Sequence, residues 1–235
     1  MTKRRFLFLA LLVVAAVAAR GEDTPGSEIA PWQAGTLDIH QISLGRGNAA
    51  LYIFPDGTTL LVDAGELARK TVRHTPDRPD GTRPAGEWTV RYIRHALRHT
   101  SEPSLDYALL THFHGDHMGE VSEKTPLAGS GAYRLTGLAL VGESLRIGTL
   151  LDRGWPDYYF PVSLEDASVK NYRAFLKWQT ENRGLKVERF TPGRNDQVVL
   201  RRDPKKYPDF EFRNMGANGE IWTGVGTTTR RHFPA

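Results

Sequence analysis

His112, His114, Asp116 and His117 place four potential metal ligands within six residues. They fall in the stretch Thr111-His112-Phe113-His114-Gly115-Asp116-His117, directly after the apolar run Tyr107-Ala108-Leu109-Leu110. The chain has eight histidines, and three of them lie in these six positions. That density favours a metal or catalytic cluster over a chance run of polar loop residues. A spacing of two puts the imidazoles of His112 and His114 on one face of an extended segment. Gly115 permits a sharp turn that swings Asp116 and His117 toward a neighbouring position. Imidazoles with one hard carboxylate suit zinc or a similar divalent ion, and one pair of ligands can serve each of two adjacent metals. The chain has no cysteine, so any metal is held by nitrogen and oxygen.

The elements that must position this stretch can be read around it. Tyr107 to Leu110 reads as a buried strand. Ala50 to Phe54 and Thr59 to Asp63 read as a β-hairpin, because Pro55-Asp56-Gly57 presets one φ and supplies a positive one. Leu37 to Leu44 has the mixed alternation of a strand entering a sheet. Residues 73–87 form a polar loop, and Gly119 to Gly131 form a second, rich in glycine, serine and proline. Trp88 to His99 has helical spacing. His95 and His99 lie one turn apart there, but Arg91, Arg94 and Arg98 surround them, so a solvated basic face is preferred to a metal pair. His40 and His74 are isolated and read as ordinary polar residues. Val169, Tyr172 and Leu176 mark an amphipathic helix ended by Gly184. Leu185–Phe190, Gln197–Leu200, Phe210–Asn214 and Glu220–Trp222 read as short strands between turns.

H-x-H-x-D-H after a buried strand, with Leu60-Leu61-Val62-Asp63-Ala64-Gly65 upstream, resembles the metallo-β-lactamase fold superfamily. Gly45-Arg46-Gly47-Asn48-Ala49-Ala50, running on to Asp63, is similar to one branch: the metallo-hydrolase domains like the C-terminal domain of the DNA-uptake competence membrane protein. The resemblance covers residues 36–120 well and continues loosely to 226. It implies a mixed α/β (α+β) fold, a four-layer αββα sandwich with two divalent metals, zinc foremost, at one edge. By resemblance, His112 and His114 bind the first metal, and Asp116 and His117 the second. Asp116 also orients the attacking water and is the catalytic residue. Asp63 stands behind the ligands, accepting N–H bonds that fix their loop; a plain strand-end turn is the alternative. Gly45, Gly47 and Asn48 present backbone amides to an anionic substrate, or simply form a tight turn. Leu150 to Tyr159 resembles a segment between the metal-binding halves, whose aromatics either wall a cleft or pack a loop.

The family's remaining ligands are a third histidine for the first metal, a bridging aspartate and a last histidine. After His117 the only histidine is His232, in an Arg-Arg-His-Phe-Pro context that does not match. Asp152 and Asp157 come too early to be the bridge. The expectation is therefore a domain over 36–235 of only the N-terminal part of the sandwich, its C-terminal half missing, binding fewer metals. A half-sandwich leaves apolar sheet faces exposed. Three functions follow as expectations. The first is an exported metal-dependent hydrolase acting on a phosphodiester or related ester. The second is a lactone or β-lactam hydrolase. The third is a non-catalytic remnant with an incomplete metal site.

Lys3, Arg4 and Arg5 precede the 14-residue apolar run Phe6 to Ala19. That run is too short to span a bilayer comfortably and fits a signal peptide over residues 1–19, with small-residue cleavage sites at its end. An uncleaved anchor is the alternative. Arg4-Arg5-Phe6-Leu7-Phe8 fits a twin-arginine signal, although the very apolar core favours the ordinary secretory route. Either route gives an exported, periplasmic or extracellular protein with a tail over 20–35 and no membrane span after cleavage. Removing those three cations takes the formal charge from +4 to +1. Charge thus gives no argument for nucleic acid, and the expected partner is a small-molecule or phosphodiester substrate.

Overall fold

The computed structural model describes residues 26–45, 47–68, 75–100 and 103–233. The signal-peptide reading of residues 1–19 and His74 lie outside these. Pro31–Ala235 forms one compact unit, distinct from Met1–Ala30. Of the latter, residues 26–30 are a turn and irregular chain.

A six-stranded mixed sheet organises the Pro31–Ala235 unit. Its strands are β1 (Asp38–Gln41), β2 (Ala49–Ile53), β3 (Thr59–Ala64), β4 (Leu105–Leu110), β5 (Ile147–Asp152) and β6 (Lys186–Arg189), side by side in chain order. The first three are antiparallel neighbours, and β3 to β6 run parallel. The β2–β3 turn is the expected one: Gly57 takes φ +86° and Phe54 and Thr58 close it. Among the described residues four α-helices connect the strands: α1 (Ala85–Ala96), the single turn α2 (Gly115–Met118), α3 (Gly137–Ser144) and α4 (Ala167–Arg183). Asp166 caps α4 by accepting from Ser168 and Val169 N–H, and Gly184 ends it at φ +70°. The chain is mixed α/β. Among the described residues no helix is long and apolar enough to cross a membrane.

Alternation along the strands divides the core in two. Leu61, Ala108, Leu110 and Leu150 face α1, α3 and α4, meeting Ile93, Leu138, Val141, Phe175 and Leu176. Leu60, Tyr107 and Leu151 face the other way, toward Val198, Leu200, Phe210 and Phe212. The expected bare apolar face is therefore covered. What covers it also differs from expectation: neither Gln197–Leu200 nor Phe210–Asn214 is a strand. Side chains replace strand pairing there. The Tyr107 hydroxyl donates to Val199 O and accepts Val199 N–H, both at 3.1 Å. Asp56 accepts from Arg202 and Asp203 N–H, and Thr58 Oγ from Arg201 N–H. A small antiparallel sheet follows, of β7 (Gly216–Ala217), β8 (Glu220–Trp222) and β9 (Thr229–Arg231).

Several elements went unread in the sequence: the α2 turn, α3, the first half of β5, and the short strands β7 and β9. Leu150 to Asp152 proves to be strand, and the aromatic segment after it is a packed loop. The Asp152 carboxylate accepts Gly154 and Trp155 N–H and the hydroxyls of Tyr158 and Tyr172, all within 2.9 Å. Burial nonetheless holds this carboxyl above its ordinary range. Trp32, expected in the tail, stacks on His99 and donates to Thr36 O. His95 is exposed, as a basic helix face requires, and His40 Nδ1 lies 3.0 Å from the Tyr92 hydroxyl.

Candidate metal centre

Parallel pairing of β3 and β4 brings Asp63 beside Thr111, where both strands end. Asp63 takes φ +58°, a left-handed conformation that aspartate tolerates better than most residues. Its buried carboxylate accepts Thr111 N–H at 2.8 Å on one oxygen. The other oxygen accepts the Thr111 hydroxyl at 2.8 Å and lies 2.7 Å from His117 Nδ1. With the proton on Nδ1 shared with Asp63, Nε2 of His117 carries the lone pair that a metal would take.

Three loops are bound to one another around this point. The α2 turn starts at His114, and Asn48 N–H donates to Asp116 O, Glu66 N–H to Gly115 O and Glu120 N–H to Glu66 O. The packing leaves no room for side chains at two glycines. A Cβ on Gly65 would lie 1.7 Å from Asp116 O, and one on Gly47 would lie 2.1 Å from Gly65 O. Gly45 is likewise closed off by Pro76 O and takes φ +83°. The expected anion-binding role of Asn48's amide is thereby corrected, since that N–H is spent on Asp116 O. The Asn48 side chain does reach the centre: its Nδ2 lies 3.3 Å from His117 Nε2.

His112, Asp116 and His117 each offer one ligand atom within 4.8 Å of the other two, the one such group of three or more among the described residues. The His112 and His117 rings lie 3.8 Å apart between centroids, and Asp116 Oδ2 is 3.6 Å from His117 Nε2. His114 stands just outside this group, exposed, with Nδ1 3.1 Å from His112 Nε2. Burial pushes the His112 imidazole below its ordinary range, and the neighbouring His117 and His114 add to the effect. The neutral ring is the form that binds metal. The donor set of two imidazoles and a carboxylate fits one divalent ion, with coordination positions left for water. It groups Asp116 and His117 with His112, whereas the resemblance pairs His112 with His114. Asp152, with both oxygens engaged by four donors, does not join the group.

Two further residues shape the centre and were not singled out in the sequence. Thr111 Oγ lies 3.1 Å from His112 Nδ1 and 3.3 Å from His117 Nδ1. Glu66 Oε2 accepts the N–H of Gly86 in α1 and of Gly137 in α3, both at 3.2 Å, tying two helix starts to the loop after β3. Position gave a signal for each: a hydroxyl just before the histidines, and an acid just after Asp63-Ala64-Gly65. In comparisons with known proteins, no family model matches this chain and no curated protein does.

Proposed function

We propose that this chain is an exported metal-dependent hydrolase of the metallo-β-lactamase type, acting on a phosphodiester or related ester. The observation that carries the reading is the convergence of His112, Asp116 and His117 within 4.8 Å at the carboxyl ends of parallel strands, with Asp63 holding His117 from behind. Open parallel sheets bind their ligands at that edge. The sheet with its helices corresponds, in this reading, to one αβ half of the αββα sandwich. The ion is divalent, zinc foremost, held by those three residues with His114 alongside. When bound it lowers the pKa of water toward neutrality and offsets charge on the attacked group.

The chain's own residues would do the rest. Asp63 keeps the proton of His117 on Nδ1. Asp116, more open than His117, has a second carboxylate oxygen that can accept a proton from the attacking water. The water oxygen bonds to phosphorus, the ester P–O bond breaks, and the alcohol leaves with a proton.

Asp152's engagement supports a second reading, a remnant with one metal or none and without turnover, because it removes a nearby carboxylate from any bridging role. Elemental analysis of the full purified chain, with hydrolysis of bis(p-nitrophenyl) phosphate, separates the two. The hydrolase reading expects bound zinc and turnover, both lost in His112→Ala. Zinc without turnover, or no retained metal at all, rejects the hydrolase and selects the remnant.

A further inference from the structure

A small cavity of about 150 Å³ opens at Thr111, the residue whose hydroxyl touches His112 and His117, and runs between Arg153, Phe190 and Ala217. Phe190 and Ala217 also line a second hollow of about 490 Å³, so the two share a wall. The far hollow combines two kinds of wall. Phe160, Phe190 and Phe233 supply ring faces and edges, and Phe160 and Phe233 are more than half exposed. Arg189 and Arg231 supply cations. They are not equivalent. Arg189 is held in place by Trp155 O and by Asp157. Arg231, in β9, makes no ion pair or side-chain hydrogen bond with any described residue. Glu220, opposite it across the β8–β9 ladder, also lines the wall, which limits the hollow to a ligand with one anionic group there.

We propose that this hollow is a substrate subsite for a ring-bearing phosphate arm. The anion would lie on Arg231 and the ring against Phe190 and Phe233, one wall away from the cavity that Thr111 lines beside the metal centre. The inference rests on the phosphodiester reading for the identity of the anion. Guanidinium groups bind phosphate through paired N–H donors, and aromatic faces take up a flat ring.

The test is calorimetric titration of the full chain, stripped of metal by a chelator, with phenyl phosphate, inorganic phosphate and phenol. Phenyl phosphate should bind more tightly than either fragment. Arg231→Ala should weaken it about tenfold, the scale of one charge-assisted hydrogen-bonded contact. Arg231→Lys should recover part of the loss, and Phe233→Ala should weaken phenyl phosphate while leaving inorganic phosphate unchanged. Absence of binding, equal affinity for inorganic phosphate, or indifference to Arg231→Ala would overturn the proposal. Its fate is separable from that of the hydrolase reading. Hydrolysis of bis(p-nitrophenyl) phosphate with KM unchanged in Arg231→Ala would sink the subsite alone. Arg231-dependent binding of phenyl phosphate without any hydrolysis would sustain the subsite and sink the hydrolase.

Discussion

On one face of the sheet, Leu61, Ala108 and Leu150 meet three helices; on the other, Leu60, Tyr107 and Leu151 meet a chain with almost no regular structure. The helical face is held by apolar area. Ile93, Leu138, Phe175 and Leu176 are all fully buried there, on helices whose backbone is paired by its own ladder beyond the first turn. The irregular face buries Val198 and Leu200, but its backbone groups have no ladder to join, so side chains must supply partners. Tyr107 serves both backbone groups of Val199, Asp56 two amides, and Gln197 the N–H of Thr191 and the carbonyl of Arg189. One face tolerates any sequence of suitable volume and period. The other depends on a few polar atoms at fixed places.

Substitutions that attack volume or hydrogen bonds separately sharpen this contrast. Phe175→Ala empties a fully buried site on the helical face and should cost about 3–5 kcal/mol in urea unfolding. Tyr107→Phe keeps the ring and its volume but removes both bonds to Val199. Val199 is 38% exposed and water can replace part of what is lost, so the cost should be about 1 kcal/mol. The two should also differ in where they act. Hydrogen exchange at the Val199 amide should quicken in Tyr107→Phe with amides in α4 unchanged. Equal loss of protection on both faces would mean that the irregular stretch over 197–214, the strap across this face, is not a separate unit and the contrast fails.

The same contrast explains what could be read from the sequence. Periodicity finds α4, because Val169, Tyr172 and Leu176 repeat at helical spacing and Gly184 stops the run. Turn chemistry finds the β2–β3 hairpin. Helix α3 escapes because Leu138-Ala139-Leu140-Val141 is apolar without a polar face, giving no period to detect. The strap misleads for the opposite reason. Val198 and Leu200 alternate like a strand, but strand character needs a neighbour, and the neighbour is a tyrosine hydroxyl from 92 positions away. At the metal centre, the ligand types and the acid behind them are local and legible. The use of Asn48's amide by Asp116 is a contact across 68 positions, and no spacing rule reaches it.

The smallest expected effect is the one tied to pH. Burial alone would raise the Asp56 carboxyl, but N–H donation from Thr58, Asp203 and Arg202 outweighs it and holds the group below its ordinary value of 3.8. A carboxyl lowered on folding contributes stability that is present above the unfolded value and lost as pH falls through the folded one. Asp56 is partly exposed, so solvent screening keeps this contribution to no more than about 1 kcal/mol. The strap should therefore loosen first in acid. Urea midpoints followed from about pH 6 to about pH 2 should fall less steeply in Asp56→Asn than in the parent, because the variant has no proton to take up there. Hydrogen exchange at Arg202 and Asp203 should lose its acid sensitivity in the same variant. An unchanged pH slope would place the acid-labile bonds elsewhere.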